Sequence, residues 1–160
     1  MVRIAIVGLG NPILSDDAVG IHVARAIRKI LDESPVAGAE CHIMEASVGG
    51  MELVEMILGY DAAFIIDSIQ TQNGKIGDIY RLKPEDFSDT KGIGNLHNVG
   101  FRTALELWRR LYGSGIPRDI TIYAVEVSDV YTFSENMNPE IAAKVPTVAA
   151  MVVEEIKSMV

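Results

Sequence analysis

An apolar run at residues 3–7 leads without a break into Gly8-Leu9-Gly10-Asn11-Pro12 and then into an amphipathic helix, and this junction limits the fold more than any other part of the chain. A strand, a glycine-containing turn and a helix in that order open a layered α/β unit, with the helix start at the carboxyl end of the strand. In the nucleotide-binding version of this layout a phosphate sits in the positive field of the helix N-terminus. Here Asp16 and Asp17 occupy that field. They would repel a pyrophosphate, so the turn suits a cation or an uncharged group.

The rest of the chain repeats the alternation. A helix is expected over 18–31, with Val19, Val23, Ala26, Ile27 and Ile30 on one face, followed by a strand over 40–44 and a helix over 51–58. The continuous apolar run 62–66, ending in Asp67, has the pattern of a strand covered on both faces. Residues 76–82 alternate and read as an edge or antiparallel strand, and a short helical turn follows Pro84. Further elements are a helix over 99–112, a strand over 120–125 and a closing helix over 146–159. The stretch 128–144 has no period, and loops of that length are commonly functional. At 160 residues the chain is expected to form a single domain spanning 1–160, large enough to bury roughly 70% of its unfolded surface. No apolar run approaches the roughly 20 residues of a membrane span. The start lacks the form of a signal peptide, and a single cysteine, Cys41, fits a reducing cytoplasm. A net charge of −8 argues against nonspecific nucleic-acid binding, which needs a basic face.

Topology directs attention to one edge. With the second strand outside the first, right-handed crossovers place strands one and three side by side, and their following turns open on the same carboxyl edge. Asp17 and Asp67 thereby become expected neighbours. His97 follows a glycine-rich approach, Gly92 and Gly94, and directly precedes a helix, from where its ring either caps that helix or projects into the cleft. Each acid has a structural reading too, since one aspartate at a helix start caps it and Asp67 could cap a turn. Together, two carboxylates and an imidazole suit a divalent first-row metal such as nickel, zinc or manganese. Without thiolates this is no closed zinc centre. Cys41 lies within a strand as a small core residue, and His22 and His42 read as exposed or structural.

These residues resemble the hydrogenase maturation endopeptidases, which process the large subunits of nickel–iron hydrogenases. The family's opening, Gly-x-Gly-Asn-x-x-x-x-Asp-Asp/Glu-Gly/Ala-x-Gly, is met by Gly8, Gly10, Asn11, Asp16, Asp17, Ala18 and Gly20. The similarity continues through Gly50-Met51-Glu52-Leu53, Ile65-Ile66-Asp67, His97 and Pro146-Thr147-Val148. The resemblance implies a three-layer α/β/α sandwich with a five-stranded, mostly parallel sheet, and an enzyme that recognises nickel already carried by the precursor and removes a C-terminal extension. It places the metal-contacting, catalytic groups at Asp17, Asp67 and His97, and substrate contacts at Asn11, Glu45, Gly49 and Gly50. It further implies a monomer, and the lack of a stable cofactor site points to a free form that holds no metal or only adventitious ions. The loop after strand two reads Glu45-Ala46-Ser47-Val48-Gly49-Gly50, where relatives often carry Asp-Gly-Gly-Thr.

Other readings compete. Gly8-Leu9-Gly10-Asn11-Pro12 and His97-Asn98-Val99-Gly100-Phe101 also resemble motifs of peptidyl-tRNA hydrolase, although there the two lie close together and a tRNA would want a basic groove. A non-catalytic nucleotide-binding module would use Gly8 and Gly10, with Glu45 on a ribose, but Ile13 stands where such a turn needs its third small residue. A nickel-binding protein that holds the precursor without cutting it is the third.

Overall fold

A computed structural model describes residues 1–87 and 100–160. In chain order the elements are β1 (Val2–Leu9), α1 (Val19–Glu33), β2 (Ala39–Ala46), α2 (Gly50–Ile57), β3 (Ala62–Ile69), β4 (Ile79–Leu82), α3 (Phe101–Tyr112), β5 (Asp119–Glu126), α4 (Pro139–Ala142) and α5 (Val145–Ser158). Short 3-10 turns occupy Ser15–Ala18 and Pro84–Asp86. The strands form one five-stranded sheet in the order β2-β1-β3-β5-β4. All pairings are parallel except β4 with β5.

Strand alternation sorts the side chains into two apolar layers. Ile4, Ile6, Phe64 and Ile66 pack with Val19, Val23 and Ile27 of α1 and Val148, Val152 and Ile156 of α5. Ala5, Val7, Ala63 and Ile65 pack with Leu53 and Ile57 of α2 and Phe101 and Leu105 of α3. The three-layer arrangement and the mostly parallel sheet are those expected. β4 is the antiparallel edge, shortened to four residues, which limits the exposed rim open to unwanted pairing.

One boundary differs in a way that matters. The third strand does not stop before Asp67; it continues through Ser68 to Ile69, because β5 pairs with it along its whole length, from Ala62 opposite Asp119 to Ile69 opposite Glu126. Asp67 therefore projects from a fully buried strand and not from a turn.

The descent of α1 onto the sheet depends on missing side chains. A Cβ at Gly20 would lie 2.3 Å from the carbonyl oxygens of both Leu9 and Ile66, and one at Gly8 would lie 2.4 Å from the Gly20 carbonyl oxygen. The small residue that close helix–strand packing requires is thus Gly20, within the helix, so Ile13 removes nothing from this fold. On the same face of the sheet, Glu155 of α5 receives the Arg81 guanidinium and, at 2.6 Å, the Tyr123 hydroxyl. Burial and that bond push the Tyr123 phenol up to about 12. The Arg81 contact holds the Glu155 carboxyl below its usual range.

Two outcomes are expected. Gly20→Ala should cost about 2 kcal/mol or more in urea unfolding, since α1 must lift off the sheet. Gly59→Ala, with a positive φ of 79° but nothing within 4 Å of an added Cβ, should cost only about 1 kcal/mol. Equal losses would contradict this account. For Glu155, a folded-state pKa below the unfolded one means that its pairing stabilises above the ordinary glutamate value of about 4.3 and is lost as pH falls through the folded value. Urea midpoints of Glu155→Gln should therefore decline less than wild type between about pH 5 and pH 3.

Candidate functional site

The carboxyl ends of β1, β2, β3 and β5 open onto one edge of the sheet. Gly10 leaves β1 with φ 142°, donating its N–H to the Ala46 carbonyl at 3.0 Å, and its own carbonyl accepts the Ser47 hydroxyl. A Cβ at Gly10 would lie 2.0 Å from the Asp17 carbonyl oxygen, so the turn from 10 to 17 closes on itself only with glycine there. Within it, Asp17 accepts the Asn11 N–H through Oδ2 at 3.0 Å and the Ser68 hydroxyl through Oδ1 at 3.1 Å. The backbone N–H that a phosphate would need already serves a carboxylate, a direct argument against the nucleotide reading.

Ser68 joins the two stretches of chain, because its neighbour is Asp67, whose Oδ1 accepts the Ser68 N–H at 2.8 Å. Asp17 is 5% exposed and Asp67 fully enclosed. Alternation puts Ser68 on the α1 face of β3, against Asp17, and Asp67 on the side shared with α2 and α3. Both carboxylates are thus buried at the carboxyl edge of the sheet, Asp17 against one face of β3 and the Asp67 side chain on the other. Among the described residues no three His, Cys, Asp or Glu side chains form a metal-holding group. His97, the third member of the expected set, lies outside the described residues.

Asp16 does not cap the helix. Its side chain, 1% exposed, accepts the Asn138 N–H at 2.7 Å, and burial pushes its carboxyl up despite that bond. The segment it grips runs beside the turn: Ser15 N–H donates to Ser134 at 2.9 Å, Ser134 N–H to Ile13 at 3.0 Å, and Leu14 and Ser134 form a parallel bridge. This strap holds Ser15 at φ 40°, a left-handed conformation that is strained for a side-chain-bearing residue.

The substrate-loop residues divide. Asn11 lies in the turn beside Asp17. Glu45 is not in a loop; it is the penultimate residue of β2, and Arg25 of α1 grips both its oxygens, at 3.0 and 2.9 Å. Gly49 is extended and immediately precedes α2, and Gly50 opens that helix with φ 56°. Ser47 therefore ties this loop to the Asp17 turn, and Glu45 ties β2 to α1. His22, half-buried on α1, has its pKa lowered by burial and by Arg25; His42 pairs with Glu40 at 2.9 Å. Cys41 is half-buried in β2, with its thiol pushed up by burial.

Sequence reasoning missed Ser68, Asn138 and Glu126. Glu126, 3% exposed at the end of β5, accepts the Thr71 N–H at 2.8 Å and its hydroxyl at 3.0 Å, clasping the chain that leaves β3. A polar residue closing the apolar run 120–126 was the available signal; nothing local marks Asn138, whose role is carried by its backbone.

Asp16→Ala should speed hydrogen exchange of the Asn138 amide by about tenfold or more, because the N–H loses its acceptor. Asp16→Asn keeps an oxygen and should leave it protected. Unchanged exchange in Asp16→Ala would show that the strap is held otherwise.

Comparison with known proteins agrees with this architecture. Residues 21–155 match the family model HycI, hydrogenase maturation protease. That span begins just after the Gly8–Gly20 motif, so the match does not rest on it. The chain is 26% identical over 152 residues to the hydrogenase 2 maturation protease of Escherichia coli (strain K12), covering 94% of this chain and 84% of that protein. The fold superposes on the hydrogenase maturating endopeptidase HybD from E. coli with a TM-score of 0.77 at 21% identity, covering 98% and 93% of the two chains. With the [NiFe] hydrogenase maturation protease HycI from Thermococcus kodakarensis KOD1 the TM-score is 0.66 at 21% identity, over 95% and 90%. A family match across most of the chain, on the fold these relatives share, makes this protein a member of the hydrogenase maturation protease family, and thus a peptide-bond hydrolase.

Proposed function

We propose that Asp17, Asp67 and His97 are the groups that meet nickel carried by the precursor of a nickel–iron hydrogenase large subunit. The reaction of the family is removal of a C-terminal extension from that subunit. What supports the assignment is the 3.1 Å bond from the Ser68 hydroxyl to Asp17, which ties the β1 turn to the Asp67 end of β3 at the rim proposed here as the nickel-receiving recess. Nickel here is part of the substrate. Two carboxylate oxygens and an imidazole nitrogen complete its coordination and so fix the position of the adjoining peptide. Water, activated by the metal or by a carboxylate, adds to the scissile carbonyl carbon; the carbon–nitrogen bond then breaks as the departing amine takes a proton. No serine or cysteine nucleophile is needed.

Asn11, Gly49 and Gly50 border the recess and are assigned to the incoming peptide. Glu45 acts there through Ser47 and the loop it precedes, since its carboxylate is committed to Arg25. We place the reaction in the cytoplasm, performed by residues 1–160 as one domain and as a monomer that carries no metal of its own. Among the described residues no helix is long and apolar enough to cross a membrane.

The test is C-terminal mass loss of nickel-loaded and nickel-free precursor. Wild type should cleave only the loaded form. Asp17→Asn should slow cleavage by about a hundredfold or more, and Ser68→Ala by about tenfold, with folding retained. Coordination requires ionised carboxylates and a neutral imidazole, so the rate should fall as the medium is made acidic. Cleavage by Asp17→Asn at the wild-type rate would overturn the ligand assignment.

A further inference from the structure

Beyond the recess, the loop that follows β5 carries large apolar groups outward. Tyr131 is 78% exposed and Phe133 80%, and Ile13, 48% exposed, takes the register position beside Phe133, because Leu14 bridges Ser134 in parallel. Single exposed apolar side chains are ordinary, but large ones grouped side by side on an ordered loop mark an interaction surface. This loop is built to keep them out. Val127 is buried, and Val130 and Met137 pack against the core on either side. Asp129 accepts the N–H groups of Tyr131 and Thr132 through Oδ1, at 3.0 and 2.9 Å. Asp16 receives Asn138, and Ser134 is bonded to both Ile13 and Ser15.

We infer that Ile13, Tyr131 and Phe133 form a ledge on which an apolar strip of the folded hydrogenase precursor docks beside its nickel. The inference rests on the processing function proposed above. The ledge is continuous with the turn that holds Asp17: Ser134, next to Phe133, bonds directly to Ser15, two residues from that carboxylate. A folded protein substrate whose nickel reaches Asp17 has to cover the surface around it, since specific protein complexes bury roughly 800 Å² per partner. Tyrosine and phenylalanine on a loop whose backbone is already fixed by hydrogen bonds are efficient anchors, because each has few side-chain torsions to immobilise. A second exposed apolar group among the described residues, Leu107, Leu111 and Tyr112 on α3, extends toward the opposite edge, where the chain turns to enter β5 at Asp119. It is out of line with the recess and serves as the control.

The double variant Tyr131→Ser/Phe133→Ser should raise KM for nickel-loaded precursor by about tenfold or more, with kcat within about twofold and an unchanged unfolding midpoint. Titration calorimetry with uncleaved precursor should show the same loss of affinity. Tyr131→Phe should keep the wild-type KM, and so should Leu111→Ser/Tyr112→Ser. A wild-type KM in the double variant overturns the ledge while leaving the processing function standing. If that variant instead only abolishes self-association seen by light scattering, the ledge joins two copies of this chain and the inference is wrong. Failure of wild type to cleave loaded precursor removes the processing function, and the ledge's occupant with it.

Discussion

The site exists because a helix and two strands approach one another closer than any side chain would allow. Gly8 and Gly20 let the first turn of α1 rest on the carbonyl ends of β1 and β3, and Gly10 lets the intervening turn fold back under Asp17. Only at that separation do the Asn11 N–H and the Ser68 hydroxyl both reach the Asp17 carboxylate. A methyl group at any of these positions would push the helix outward before it altered any functional group. The three glycines are therefore as much part of the site as the acids.

That closeness carries costs that other parts of the chain offset. The turn forces Ser15 into a left-handed conformation and encloses the carboxylates of Asp16, Asp17 and Asp67. The strap from Ser134 to Asn138 supplies the hydrogen bonds that hold the strained residue and satisfy Asp16. Glu126 plays a parallel part on the neighbouring strand, where it fixes the chain leaving β3. Long connections at the carboxyl edge are thus ordered by polar groups from the strands and turns beneath them. This matters for a peptide-bond hydrolase, because a positioned rim can orient a substrate before chemistry begins.

Much of this was legible in the residues. The alternation of apolar runs and amphipathic helices gave the layers, and the crossover rule gave β1 and β3 as neighbours, which placed Asp17 and Asp67 at one edge. That Glu45 pairs with a cation on α1 could not be read locally, because a carboxylate near the end of a strand looks the same in sequence whether it faces a cleft or a helix. Its partner Arg25 is one of several basic residues on α1, and only the packing of that helix against β2 selects it. The continuous apolar run marks the strand only as far as Asp67, whereas hydrogen bonding to β5 continues to Ile69.

By itself, then, the sequence determined the class of fold and the strand neighbours, because hydrophobic period and chain connectivity are written locally. The tertiary structure alone decided that the Ser68 hydroxyl would reach Asp17, that Asp16 would bind the backbone of Asn138 and not a helix start, and that Tyr131 and Phe133 would stand exposed next to the segment bonded to the Asp17 turn. Those outcomes depend on contacts between residues far apart in the chain, and a hydrogen bond to a backbone N–H leaves no trace in the identity of the residue that donates it.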